Sequence, residues 1–211
     1  GAGDSAGVDD VNIREPHSAL AYRMISDVSD RSVPPQFQAL PGTSQMFRAI
    51  NNQADLLQPD TLILCSEAFA NFGQVDPETI TRLATHLPKA TTEIQIYCAL
   101  RRSDDYMISW HGQRLKVGEK PAPLQGDGFK QYQDTIHFNY RLAVEAWTER
   151  MPKAQLILRN YSDILATGGS AEDFAAQTDL AVPDKMITPG RANPSLPRAA
   201  FAIMRRANKE L

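Results

Sequence analysis

Residues 93–109 read EIQIYCALRRSDDYMIS, and this stretch decides the fold. Its first eight residues form an apolar run with the composition of a strand buried on both faces. Directly after it, Ser103 is placed to cap a helix whose first turn holds Asp104 and Asp105, where negative charge suits the helix dipole. A buried strand running straight into a capped helix is the unit from which parallel sheets are built.

Working outward, a similar strand is expected at 61–67 (TLILCSE), opening after Pro59 and Asp60. Between the two strands Asp76 can cap a helix with Pro77 at its first position and Ile80, Leu83 and Leu87 as its apolar stripe. The order strand, helix, strand implies a right-handed parallel crossover. A third buried strand is expected at 155–159 (QLILR), after a long helix over 134–151 that Pro152 ends. Further helices are expected at about 16–28, from Ser44 onward, near 171–177, and from about 197 to the end. The pattern is a single α/β domain over 1–211, with a parallel sheet, helices on both faces and a flexible stretch at 1–15.

The chain has 211 residues, 42% hydrophobic and 22% charged, which excludes a disordered polymer. Its net charge of −3 supplies no overall basic field for nucleic acid. The apolar runs fall far short of the roughly 18 residues that cross a bilayer, and the opening residues do not combine the features of a signal peptide. Cys65 and Cys98 lie inside apolar runs, as buried reduced thiols do. Together these features point to a cytoplasmic protein.

In an open parallel sheet, ligands bind beyond the carboxyl ends of the strands. Three places qualify: Ser66 and Glu67, Arg101 and Arg102, and Arg159 to Tyr161. The second is the most specific, because an arginine fork at a strand end beside free helix N–H groups converges on one anion. Ser109, eight residues after Arg101 and nearly two turns into the helix, can add a hydroxyl. The alternative is that both arginines are solvated and Ser109 is an ordinary helix hydroxyl. Glu67 is a candidate general base if burial raises its pKa, or simply the first-turn acid of a short helix. His111, beside Trp110, is a second candidate base or a packing residue. The histidines and cysteines show no metal-ligand spacing.

The strand followed by Arg101, Asp105 and Ser109 resembles the 3′-phosphate-binding signature of the P-loop sulfotransferase superfamily. The runs LRRSDDYMISWHGQ, DTIHFNYRLAVEAW, QLILRNYSDI and RANPSL are together similar to bacterial sulfotransferase-like proteins. The resemblance covers most of the chain from His17 onward. It implies a three-layer α/β fold, with Arg101 and Ser109 binding the 3′-phosphate of 3′-phosphoadenosine 5′-phosphosulfate (PAPS). It further implies a late loop with Gly190, Arg191 and Asn193 closing over the nucleotide, where those residues could otherwise form an ordinary turn. Glu67 would be the base, and the acceptor a carbohydrate hydroxyl.

One departure matters. Sulfotransferases open with a strand and a Lys-containing loop that cradles the 5′-phosphosulfate, and no such loop occurs in this sequence. The expectation is therefore a sheet without its first strand, with that loop lying before Gly1. Two other functions fit parts of the sequence. Asp104 and Asp105 after a strand could hold a divalent ion in a metal-dependent glycosyltransferase, and a domain without the Lys loop could be a non-catalytic nucleotide-binding or assembly module.

Overall fold

The structure, a computed structural model, describes residues 17–181 and 195–210. The chain divides into two compact units, Gly1–Ala90 and Thr91–Leu211.

In the first unit α1 (Ser18–Ser26), α2 (Thr43–Leu57), α3 (Phe72–Val75) and α4 (Glu78–His86) are joined by short irregular segments. Helix α1 buries Ala19, Leu20, Ala21, Met24 and Ile25, a broad apolar face for so short a helix. It packs on α2, which buries Phe47, and on the 3-10 turn Glu67–Asn71. Phe72, Ile80 and Leu83 complete the buried set. Asp76 does cap α4, its Oδ1 accepting the Glu78 N–H at 3.0 Å. Helix α2 starts one residue earlier than its expected cap at Ser44, with the Gly42 N–H donating to Gln45 Oε1.

The expected strand at 61–67 is not a strand. Residues 61–66 are irregular, and Leu62 and Ile63 are exposed. An apolar run becomes a strand only when a neighbouring chain completes its ladder, and none of the described residues of this unit does so. His17 and Ser18 hold the segment instead: the Cys65 N–H donates to His17 Nδ1 at 3.0 Å, and the Ser18 and Ser66 hydroxyls lie 2.9 Å apart. The crossover that this strand was to begin is absent with it. Cys65, expected to be buried, is exposed, and Cys98 is half-buried; both are free thiols.

In the second unit β1 (Gln95–Leu100) and β2 (Gln155–Asn160) form a two-stranded parallel sheet. The register runs from Gln95 opposite Gln155 to Leu100 opposite Asn160. Between the strands lie α5 (Ser103–Lys116), α6 (Lys130–Gln133) and α7 (Arg141–Arg150). After them come α8 (Tyr161–Ala166), α9 (Ser170–Gln177) and α10 (Phe201–Glu210). Leu115, Tyr132, Ile136, Ala143, Ala146, Met151 and Ile164 are buried. Gly128 is obligatory in the loop between α5 and α6, since a Cβ there would sit on the Pro123 carbonyl. The architecture among the described residues is therefore mixed α/β, with both strands of its parallel sheet where the sequence placed them.

The long helix expected over 134–151 begins only at Arg141. Thr135 Oγ1 turns back to the Tyr132 carbonyl at 2.8 Å, and Asn139 Oδ1 accepts the Arg141 N–H at 3.2 Å. Such short polar side chains offer the backbone partners that compete with a helix. The cluster thus forms turns, and His137 points its ring against Tyr106 and Trp110, at 5.1 and 4.6 Å. Helix α8, by contrast, was not expected; Asn160 caps it by accepting the Ser162 N–H at 3.0 Å.

Helix α9 is fastened to both strands by one carboxylate. Asp173, fully buried, accepts from Arg159 Nη2 at 2.7 Å and Nε at 3.0 Å, from the Tyr97 hydroxyl at 2.7 Å, and from Thr167 Oγ1 at 3.2 Å. The Arg159 fork, with the two hydroxyls, holds the Asp173 carboxyl down to about 2, below its ordinary 3.8. Because the folded value lies below the unfolded one, this stabilisation is complete above about pH 4 and is lost as pH falls through 2. Asp173→Asn should lower the urea midpoint at pH 7, and its gap to the unsubstituted protein should narrow between pH 4 and 2. A gap that stays constant over that range would mean the carboxylate does not carry the network.

Candidate functional site

A parallel ladder brings both strand ends to one edge of the sheet. Leu100 at the end of β1, Arg101 and Arg102 after it, and Leu158, Arg159 and Asn160 at the end of β2 line one open cavity of about 300 Å³. Two of the three places expected from the strand-end rule therefore share one edge. The third, Ser66 and Glu67, belongs to the first unit.

The arginines at this edge differ in how they are held. Arg102 forms a bidentate pair with Asp104, from Nη2 at 2.6 Å and Nε at 3.1 Å. Arg159 is committed to Asp173, so its expected ligand role gives way to a structural one. Arg101 has no ion pair among the described residues; its guanidinium lies over the Tyr161 ring, 5.5 Å from the centroid. The Tyr140 hydroxyl donates to the Arg101 backbone carbonyl, which fixes the chain where the arginine leaves the strand. Burial pushes that phenol up to about 12, so it remains a donor at physiological pH.

On its other side Arg101 lines a second cavity, of about 280 Å³, together with Asp105, Ile108, Ser109 and Gly112 of α5 and Ser195, Pro197, Arg198 and Phe201. The sequence expectation paired Arg101 with Ser109, and the fold brings them to this one cavity because only two residues, Arg101 and Arg102, separate β1 from α5. Gly112 is close-packed: a Cβ would meet two ring atoms of Phe201 at 3.1 Å, so the glycine lets α10 approach α5. Asn208 fastens the same helices, its Nδ2 donating to the carbonyls of Leu115 and Glu119 at 2.9 and 2.8 Å. The Leu115 carbonyl also accepts the Gly118 N–H at 3.2 Å, so Asn208 adds a second donor at the end of α5.

The remaining expected residues fall as follows. Glu67 is exposed, in the first turn of the 3-10 helix Glu67–Asn71 that Ser66 caps through the Ala68 N–H at 3.1 Å. The burial invoked for its role as base is therefore not present in this structure. Gly190, Arg191 and Asn193 lie outside the described residues. His111 is buried as a packing residue, its Nδ1 2.9 Å from the Tyr132 hydroxyl and its ring against Phe201, and burial lowers its pKa. Asp104 and Asp105 each face an arginine, Arg102 and Arg198. Sequence reasoning missed Arg198 as a cavity residue; the only local signal was Pro197 before a basic helix start.

Over 151 residues, 71% of this chain, the sequence is 28% identical to an uncharacterized protein of Archaeoglobus fulgidus. The match covers 39% of that protein, so the chain spans about two fifths of the length of the curated relative it matches. No family model matches the chain, and no solved structure matches it. No helix among the described residues is long and apolar enough to cross a membrane.

Asn208→Ala should cost about 1–3 kcal/mol, the loss of two side-chain hydrogen bonds of about 0.5–1.5 kcal/mol each that tie α10 to the end of α5. Chemical denaturation would measure it, and amide exchange in α10 should rise more than in β1. Equal exchange in both would show that Asn208 does not fasten the cavity wall.

Proposed function

We propose that the cavity between Arg101 and Ser109 binds the 3′-phosphate of an adenosine nucleotide, and that the protein transfers a sulfuryl group from PAPS to an acceptor hydroxyl, with a carbohydrate as the acceptor class. The observation that carries this is Arg101: a strand-end guanidinium without a carboxylate partner among the described residues, on one cavity with a helix hydroxyl. A phosphate there would receive charge-assisted hydrogen bonds from a planar fork and a neutral bond from Ser109.

The rest of the proposal comes from the resemblance. The two-stranded parallel sheet is taken as part of a larger three-layer sulfotransferase-like sheet. Gly190, Arg191 and Asn193 are assigned to the loop that closes over the nucleotide. In the transfer, the acceptor oxygen forms a bond to sulfur as the bond from sulfur to the bridging phosphate oxygen breaks, leaving 3′-phosphoadenosine 5′-phosphate. The acceptor proton passes to a carboxylate, and Glu67 is the residue assigned to it. The glycosyltransferase alternative is less favoured, because Asp104 is already clamped by the Arg102 fork rather than open to a cation.

Calorimetric titration with 3′-phosphoadenosine 5′-phosphate tests this, with UDP plus manganese as control. Binding of the adenosine nucleotide alone is expected. Arg101→Ala should weaken it about 10- to 100-fold, as loss of a charge-assisted contact does. Binding of UDP with manganese alone, or an unchanged Kd in Arg101→Ala, would overturn the assignment.

A further inference from the structure

Four arginines lie around the β1 edge and the α5 cavity, and three of them are paired, but not equally. Arg102 and Arg159 are clamped by bidentate carboxylates at 2.6–3.1 Å. Arg198 has only one contact to Asp105, at 3.5 Å, and its side chain is 70% exposed. Long, exposed, single-contact pairs are weak, since water screens them and the side chains lose rotamer freedom. Arg198 nevertheless lines the same cavity as Arg101 and Ser109. Among the described residues the cavity thus holds two guanidiniums against one carboxylate, with the hydroxyls of Ser109 and Ser195 as neutral donors. Arg198 occupies the 3-10 turn Arg198–Ala200 between Pro197 and α10, so its backbone is placed by the Phe201 and Asn208 contacts while its side chain stays free to turn.

We propose that Arg198 is a second anion-binding residue of this cavity and that Asp105 occupies its guanidinium until the ligand arrives. The proposal rests on the reading that the cavity takes a phosphate, and it adds a second guanidinium and the carboxylate that holds it. On binding, Arg198 exchanges the Asp105 carboxylate for a phosphate oxygen; no covalent bond changes. Asp105 then lies near the anion with its partner gone, so it opposes binding and keeps the cavity from filling with weaker anions.

The test measures Kd for 3′-phosphoadenosine 5′-phosphate and for inorganic pyrophosphate. It uses the unsubstituted chain, Arg101→Ala, Arg198→Ala, Arg198→Lys, Asp105→Asn, and the Arg198→Ala/Asp105→Asn double variant. Circular dichroism would confirm that each variant is folded. Arg198→Ala should weaken binding about tenfold, Arg198→Lys should recover part of it, and Asp105→Asn should tighten it severalfold. Arg198→Ala should cost more in the Asp105→Asn background, because there the guanidinium is no longer shared. If Arg101→Ala weakens binding while Arg198→Ala does not, the role of Arg198 is overturned and the nucleotide reading stands. If Asp105→Asn weakens binding, Asp105 is not the place-holder. Pyrophosphate binding without nucleotide binding would remove the nucleotide reading while the Arg198 variants still report on the anion site. Binding of neither ligand would overturn both.

Discussion

A parallel strand pair must send both chain ends to the same edge and bring the chain back the full length of the strand between them. That constraint organises the second unit. The return path, residues 101–154, supplies α5, α6 and α7, and the shared edge gathers Arg101, Arg102, Arg159 and Asn160. Four positively charged or polar groups at one edge would repel or remain unsatisfied without partners. Two of the arginines are therefore clamped by carboxylates of local helices, one of them, Asp173, fully buried. What remains uncommitted is Arg101, and the candidate site is built around that remainder.

The buried carboxylate and the cavity make opposite use of charge. Asp173 has a fork and two hydroxyls around it, which satisfies a buried anion and fixes α9 against both strands. Asp105 has one long contact to an exposed arginine, which fixes little. The same pair of residue types thus forms a fastening in one place and an exchangeable contact in another. Burial and the number of hydrogen bonds decide which.

How far the sequence carried can be judged element by element. β1, β2, α1, α4, α5, α9 and α10 were legible because each has a local signature: an uninterrupted apolar run, an Asp or Pro at a helix start, or a stripe at helical spacing. The run at 61–67 has the same signature as β1 and is not a strand. A strand is defined by a partner, and partners are not written in the run itself. The helix expected over 134–151 failed at Thr135 and Asn139, whose side chains bond to nearby backbone instead. The pairing of Arg101 with Ser109 was legible because both belong to one strand–helix unit, so short-range geometry alone fixes their spacing.

The sequence by itself determined the parallel α/β pattern of the second unit, the helix following β1 with its acidic first turn, and the strand-end position of Arg101. The helix and the position of Arg101 depend on interactions within a few residues; the two strand runs are local as well, while their pairing joins segments sixty residues apart. Only the tertiary structure decided which arginines are spent. Arg159 looked as available as Arg101 until Asp173, fourteen residues on, was seen to claim it. Arg198, ninety-seven residues from Arg101, reaches the cavity only because Gly112 and Asn208 hold α10 against α5. Charge assignments of this kind rest on contacts between distant segments, and periodicity and propensity carry no information about them.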